Sequence, residues 1–190
     1  SINTFFILYL FLINTICKLL RTNYNKLSQT IIKETKMQLS KNFTMAEFTK
    51  SQTAERKGIN NTPQGVHLEA AKALFENVVQ KVRDHFGTTT INSGYRCPTL
   101  NAAVGGTATS QHCYGEAADI EVPGVANADL ANWIVDNTDF DQVILEFYTP
   151  GIPDSGWVHV SYKADGSNRG KALTASRING KTVYSVGINA

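Results

Sequence analysis

Ser110-Gln111-His112-Cys113-Tyr114-Gly115-Glu116-Ala117-Ala118-Asp119 places a histidine and an aspartate seven positions apart, with a glycine turn between them. From Glu116 the residues alternate. Ala117, Asp119 and Glu121 share one face of a strand, Ala118, Ile120 and Val122 share the other, and Pro123-Gly124 ends it. A second alternating run, Trp157 to Tyr162, sets Trp157, His159 and Ser161 against Val158, Val160 and Tyr162. Asp119 and His159 therefore stand on the polar faces of two strands whose opposite faces are aliphatic, and the turn at Tyr114-Gly115 can return His112 to the same point. Taken singly, each residue has an ordinary structural explanation: a loop histidine, a half-buried strand histidine, a sheet-edge acid. Together they make a set of two imidazoles and one carboxylate, which suits a zinc ion with one position left open.

The elements around this pair of strands read outward from it. Thr44-Met45-Ala46-Glu47 has capping-box spacing and predicts a short helix to about Lys50, with Phe43 and Phe48 pinning it to the body. Thr62-Pro63 reads as a helix start. Val66, Ala70, Leu74, Val78 and Val82 then predict one long amphipathic helix from about Pro63 to Phe86, stopped by Gly87. His67 and His85 lie on or near it and are read as packing or surface residues. Thr88–Ile91 is a short β-branched strand, and Pro98–Val104 a short helix. Asn127 caps a helix to about Asn137. Gln142–Phe147 is a strand with Gln142, Ile144 and Glu146 on its polar side. Asn179-Gly180 joins Ala172–Ile178 to Lys181–Val186 as a hairpin. Helices first, then strands with one inserted helix, give an α+β fold with a central antiparallel sheet and flanking helices.

Composition bounds the reading. The 190 residues are 42% hydrophobic and 18% charged, as in a globular domain. Residues 1–36 carry a net charge of +4 and the remainder −2, which leaves no nucleic-acid footprint on the body. Phe5–Ile13 is almost wholly apolar, and that character runs on to Leu20. At roughly 17 residues, with no basic residue before it and no cleavage site after it, it suits neither a membrane span nor a signal peptide well. Met37 opens a stretch that reads as a soluble start. The expectation is a single domain over 37–190, with 1–36 as a non-native or anchor-like extension. Membrane attachment follows only if residues 4–20 are a genuine anchor. Otherwise the protein is made in the cytoplasm. Cys17, Cys97 and Cys113 are no disulfide framework, and whether Cys97 and Cys113 pair stays open.

A hydrolytic zinc site needs a general base for the attacking water. Glu146 is the first candidate, a carboxylate on the polar side of an apolar strand, and Asp154 is the second, in the loop before Trp157. Glu121 shares a face with Asp119 but lies farther along the strand. Arg96, in the turn after the Thr88–Ile91 strand, is placed to meet a developing oxyanion. Ser110 lacks the Gly-x-Ser-x-Gly setting of a nucleophile. Ser110, Tyr95 and Trp157 join Arg96 as candidate substrate contacts, with packing the blander role for Tyr95 and Trp157.

Ser-x-His-x-x-Gly-x-Ala-x-Asp followed by Trp-x-His resembles the zinc D-alanyl-D-alanine carboxypeptidases of the Hedgehog/DD-peptidase fold, in their compact phage and bacterial form. Ser93-Gly94-Tyr95-Arg96, with Leu100-Asn101, is similar to that family's upstream motif, and the likeness runs from about Phe43 to Tyr162. The resemblance implies one zinc held by His112, Asp119 and His159, Arg96 on substrate or transition state, and peptidoglycan stem peptides as substrate, cut at the cell wall, as by lysins, in carboxypeptidase or endopeptidase fashion; the chain is expected to be a monomer. Several relatives carry the catalytic acid three residues before the last histidine, where this chain has Gly156. That departure keeps a second reading open: an inactive module of the same fold that retains zinc and binds wall or partner.

Overall fold

Strands with one aliphatic and one polar face need a different covering on each side, and that requirement sets the architecture. In the computed structural model, which describes residues 15–29 and 37–190, the chain divides into two units, Ser1–Met37 and Gln38–Ala190. Residues 15–29 of the first are helical. No helix among the described residues is long and apolar enough to cross a membrane. The apolar run Phe5–Ile13 lies outside the described residues.

The second unit opens with a ribbon of β1 (Gln38–Ser40) and β2 (Phe43–Thr44), followed by α1 (Met45–Thr49). The capping box forms as its spacing predicts: Glu47 N donates to Thr44 Oγ1 at 3.4 Å, and Thr44 N donates to the Glu47 carboxylate at 2.8 Å. A helix absent from the sequence reading, α2 (Gln52–Lys57), follows, capped by the Ser51 hydroxyl and closed by Gly58 in the left-handed region. The long helix α3 starts at Val66, after Gly65, rather than at Pro63. It runs through Val66–Leu74, a wide π turn at Phe75–Val79, and Gln80–Phe86. Apolar residues spaced by four drift around a helix of 3.6 residues per turn. The π turn takes up that drift, so Leu74, Phe75, Val78, Val79 and Val82 are all fully buried. Val66, at 77% exposed, stands outside the stripe.

Six strands form one sheet in the order β3-β4-β6-β5-β7-β8: β3 (Thr90–Ser93), β4 (Ala117–Glu121), β5 (Gln142–Glu146), β6 (Trp157–Ser161), β7 (Lys171–Ile178) and β8 (Lys181–Val186). Helix α4 (Pro98–Ala103) and a 3₁₀ turn (Gln111–Tyr114) lie between β3 and β4, and α5 (Asn127–Asn137) between β4 and β5. The α+β class stands, but the sheet is mixed, because β5 and β7 run parallel. The connection over residues 162–170 crosses the start of β5, where Gly170 N and Lys171 N donate to the carbonyls of Phe140 and Asp141. The chain therefore enters β7 from the end at which β5 begins.

The aliphatic face buries Ala118, Ile120, Val143, Leu145, Val158 and Val160 completely, and α5 packs on β5 and β6. Asn127 is not the cap of α5, a place taken by Ala126. Its buried amide donates to Glu121 and to the carbonyls of Ser155 and Gly156. Phe43 and Phe48 both meet Phe75 edge-on at 5.2 Å, joining the ribbon and α1 to α3 as expected. Phe75→Ala removes the ring that both neighbours share. It is expected to cost about 3–5 kcal/mol in urea unfolding, against about 0.5 kcal/mol or less for Val66→Ala at an exposed position.

Candidate metal centre

The β4–β6 register brings the site together. Asp119 is the direct antiparallel partner of His159, so their side chains rise from the same face of the sheet. His112 arrives on the 3₁₀ turn, which ends at Gly115 with φ of 75°. A Cβ on Gly115 would sit 2.2 Å from the His67 carbonyl oxygen, so both the backbone angle and the close approach require glycine. Two bonds clamp the turn to the segment after β3: His112 Nδ1 lies 2.7 Å from the Gly94 carbonyl, and Arg96 N donates to the His112 carbonyl at 3.1 Å.

With Nδ1 of His112 donating to Gly94, its Nε2 carries the lone pair, 3.2 Å from Asp119 Oδ1. Nδ1 of His159 approaches the same oxygen at 3.0 Å. All three residues are buried, and their ligand atoms lie within 4.8 Å of one another, so the group can hold a metal ion. The outer partners fit that role. Arg96 Nη2 donates to Asp119 Oδ2 at 3.2 Å while its Nε donates to Ser93 Oγ at 3.1 Å, which leaves Oδ1 turned to the histidines. Burial pushes the Asp119 carboxyl up, but its bonds and charge interactions with His112 and His159 outweigh this and hold it well below the usual carboxylate range. Burial pushes His112 down, toward the neutral imidazole that a metal needs.

A cleft of about 780 Å³ opens over the group, lined among others by Arg96, Ser110, Glu146 and Trp157. Glu146 pairs with Trp157 across β5 and β6, two residue pairs beyond Ile144 and His159, so its carboxylate rises on the site's face. Burial pushes its pKa above the ordinary glutamate value, with His159 pulling the other way. Asp154, the alternative base, is exposed and lines a separate hollow with Pro123 and Glu121. Glu121 is itself bonded to Asn92 and Asn127. Tyr95 is buried against Phe48 and borders the neighbouring hollow instead of the cleft. His85 stacks on Trp133 at 4.6 Å and His67 packs against Tyr95 and Tyr114, both in packing roles. Cys97 and Cys113 are free thiols.

Gly156 lies where the loop before β6 meets the end of β5. Its φ is 66°, and a Cβ there would lie 1.9 Å from the Glu146 carbonyl oxygen. No side chain fits, so a carboxylate three residues before His159 is excluded by the backbone, and the acid on the paired strand is Glu146.

Two contributors, Asp141 and Tyr184, escaped the sequence reading. Asp141, wholly buried, accepts from Arg169 Nε at 2.8 Å, Arg169 N at 3.1 Å, Gln111 Nε2 at 2.9 Å and Ser161 Oγ at 3.3 Å. It thereby holds the residue next to His112, the end of β6 and the crossing loop. Its only signal was an acid placed immediately before an apolar strand. Burial pushes Asp141 up, but the bonds from Arg169 and Gln111 prevail and pull it down to about 2. Tyr184, from β8, also lines the cleft, and its hydroxyl is pushed up by burial and by the charge of Glu146.

The family model for Peptidase M15 matches residues 41–161, more than half of the chain. The chain belongs to the Peptidase M15 family. A search of curated proteins found no match. The matched span contains Arg96, His112, Asp119, Glu146 and His159, and this M15 chain adds the β7–β8 hairpin beyond it.

Two measurements probe the scaffold of this M15 site. Gly156→Ala is expected to lower stability by more than about 2 kcal/mol in urea unfolding, since it combines a left-handed backbone with a clash. Asp141 titrates lower in the fold than the ordinary value of 3.8. Its stabilisation is therefore complete above about pH 4 and is lost as pH falls toward 2. Asp141→Asn should lower stability at neutral pH and flatten that part of the stability–pH curve.

Proposed function

We propose that this M15 chain is a zinc peptidase that hydrolyses peptide bonds of peptidoglycan stem peptides, either as a D-alanyl-D-alanine carboxypeptidase or as a cell-wall endopeptidase of the phage type. The observation that carries this reading is the buried His112, Asp119 and His159 group with the Glu146 carboxylate rising beside it from the next strand. The donor set matches one zinc per chain: two imidazole nitrogens, one of fixed tautomer, and one carboxylate oxygen.

Bound there, zinc would polarise the scissile carbonyl and make water acidic enough to ionise near neutral pH. The chain's own groups do the rest. Glu146 takes the proton of the attacking water and passes it to the leaving amine, and a pKa raised by burial suits it to both transfers. Arg96 lines the cleft as a cation where negative charge gathers on the carbonyl oxygen, while it also orients Asp119. Trp157 and Ser110 form walls against which the peptide lies, and Tyr184 narrows the cleft beside Glu146. The binding-module reading starts from Gly156, and the Glu146 carboxylate on the site's face is what favours the peptidase over it. The place of action that follows from this substrate is the cell wall.

The test pairs elemental analysis of the full chain with release of D-Ala or new amine from purified peptidoglycan, with and without chelator. One zinc per chain and chelator-sensitive release are expected, and the product names the bond. Glu146→Gln should keep the zinc and slow release about 10²–10⁴-fold. Zinc without release from any wall type would replace the peptidase with the binding module. An absence of zinc would overturn both.

A further inference from the structure

A second hollow, of about 470 Å³, adjoins the metal cleft and shares Arg96, Val104 and Asp119 with it as walls. Its other charged lining residues are Lys50 and Arg56, both exposed to solvent. Arg96 and Asp119 neutralise each other. Lys50 and Arg56 enter no ion pair among the described residues. The free charge of the hollow is therefore two cations, facing a space that opens toward the metal group. Its floor is mixed: Ile91 offers apolar surface above the buried Leu100 and Tyr95, and Ser93 and Thr53 offer hydroxyls.

The walls are held in fixed relation to the metal group. The Asn61 amide donates to the carbonyls of Thr49, at 3.0 Å, and Tyr95, at 2.8 Å, and its oxygen accepts from Cys97 N at 2.8 Å. Tyr95 N donates to the Phe48 carbonyl at 2.9 Å. The α1–α2 segment that carries the two cations is thus tied to both neighbours of Arg96. Arg56 Nε donates to the Gln52 carbonyl at 3.2 Å, which limits where its guanidinium can point. A preformed hollow with apolar floor and two uncompensated cations suits an acidic peptide better than a neutral one.

We propose that this hollow is a second substrate subsite, in which Lys50 and Arg56 take a carboxylate-bearing stretch of the peptide whose reacting bond lies in the metal cleft. The assignment rests on the peptidase reading for the identity of the peptide, since stem peptides carry free carboxylates, but not for the existence of the subsite. Tyr95 then contacts substrate here, on the far side of Arg96 from Glu146.

Binding without turnover separates the two. The probes are a synthetic stem pentapeptide with free side-chain carboxylates and the same peptide with those groups amidated, titrated calorimetrically into full-length Glu146→Gln protein loaded with zinc. Adding Lys50→Ala and Arg56→Ala is expected to weaken the acidic peptide about tenfold, an effect that shrinks with salt, while the amidated peptide binds both proteins alike. Equal affinity of the acidic peptide for the two proteins overturns the subsite, even if the wild type hydrolyses wall. Inorganic phosphate displacing the acidic peptide at matched concentration also overturns it, as an unselective anion site. Charge-dependent binding with no hydrolysis by the wild type upholds the subsite and removes the peptidase.

Discussion

The site depends on the register between β4 and β6. Asp119 and His159 converge because they are direct partners across one antiparallel pair, and a strand has a side-chain period of two. A slip of one residue would turn one of them into the aliphatic layer under α5 and bring a valine or isoleucine up in its place. The same alternation that buries Ile120, Val158 and Val160 therefore fixes the ligand geometry. Core formation and site formation are one event here, so the fold cannot be made with its hydrophobic face satisfied and its metal face in disorder.

A buried carboxylate fixes the remaining freedom. Asp141 receives bonds from three separate segments: the turn that carries His112, the end of the strand that carries His159, and the loop that takes the chain across to β7. An isolated buried carboxylate would be costly, and this one is tolerable only because every approach to it carries a donor. Its satisfaction demands that the three segments arrive together. The parallel pairing of β7 beside β5 follows from the same knot, since the loop that reaches Asp141 delivers the chain at the start of β5.

Strands with alternating faces, the capping box at Thr44 and the Asn179-Gly180 hairpin were legible in the sequence because their causes are local. Asp119 and His159 were legible because each stands among polar positions that alternate with aliphatic ones on a short strand, and His112 because a glycine turn joins it to the first of them. Asp141 was not, because its partners are 20, 28 and 30 positions away and meet it only in the folded chain. The parallel pair was hidden for the same reason. Helix α2 has six residues, too few to show a period, and the π turn in α3 appears in the sequence only as a spacing of four that a straight helix cannot keep on one face. Tyr184 lay beyond the motifs, on a strand whose pairing partner alone brings it over the cleft.

Glu146 and Gly156 show how a tight loop entry limits where an acidic side chain can stand near His159. The loop entering β6 turns back against β5, and at Gly156 it approaches the Glu146 carbonyl so closely that no Cβ can intervene. A carboxylate borne on the loop would have to push that loop outward and open the pairing of Trp157 with Glu146. Borne on β5, the carboxylate needs no such space, because an edge-on neighbour in a sheet already points to the same face as His159. A tight entry to β6 and an acid on β5 are thus alternatives to a looser entry that carries the acid itself. The arrangement here ties the position of the Glu146 carboxylate to the sheet rather than to the loop that enters β6.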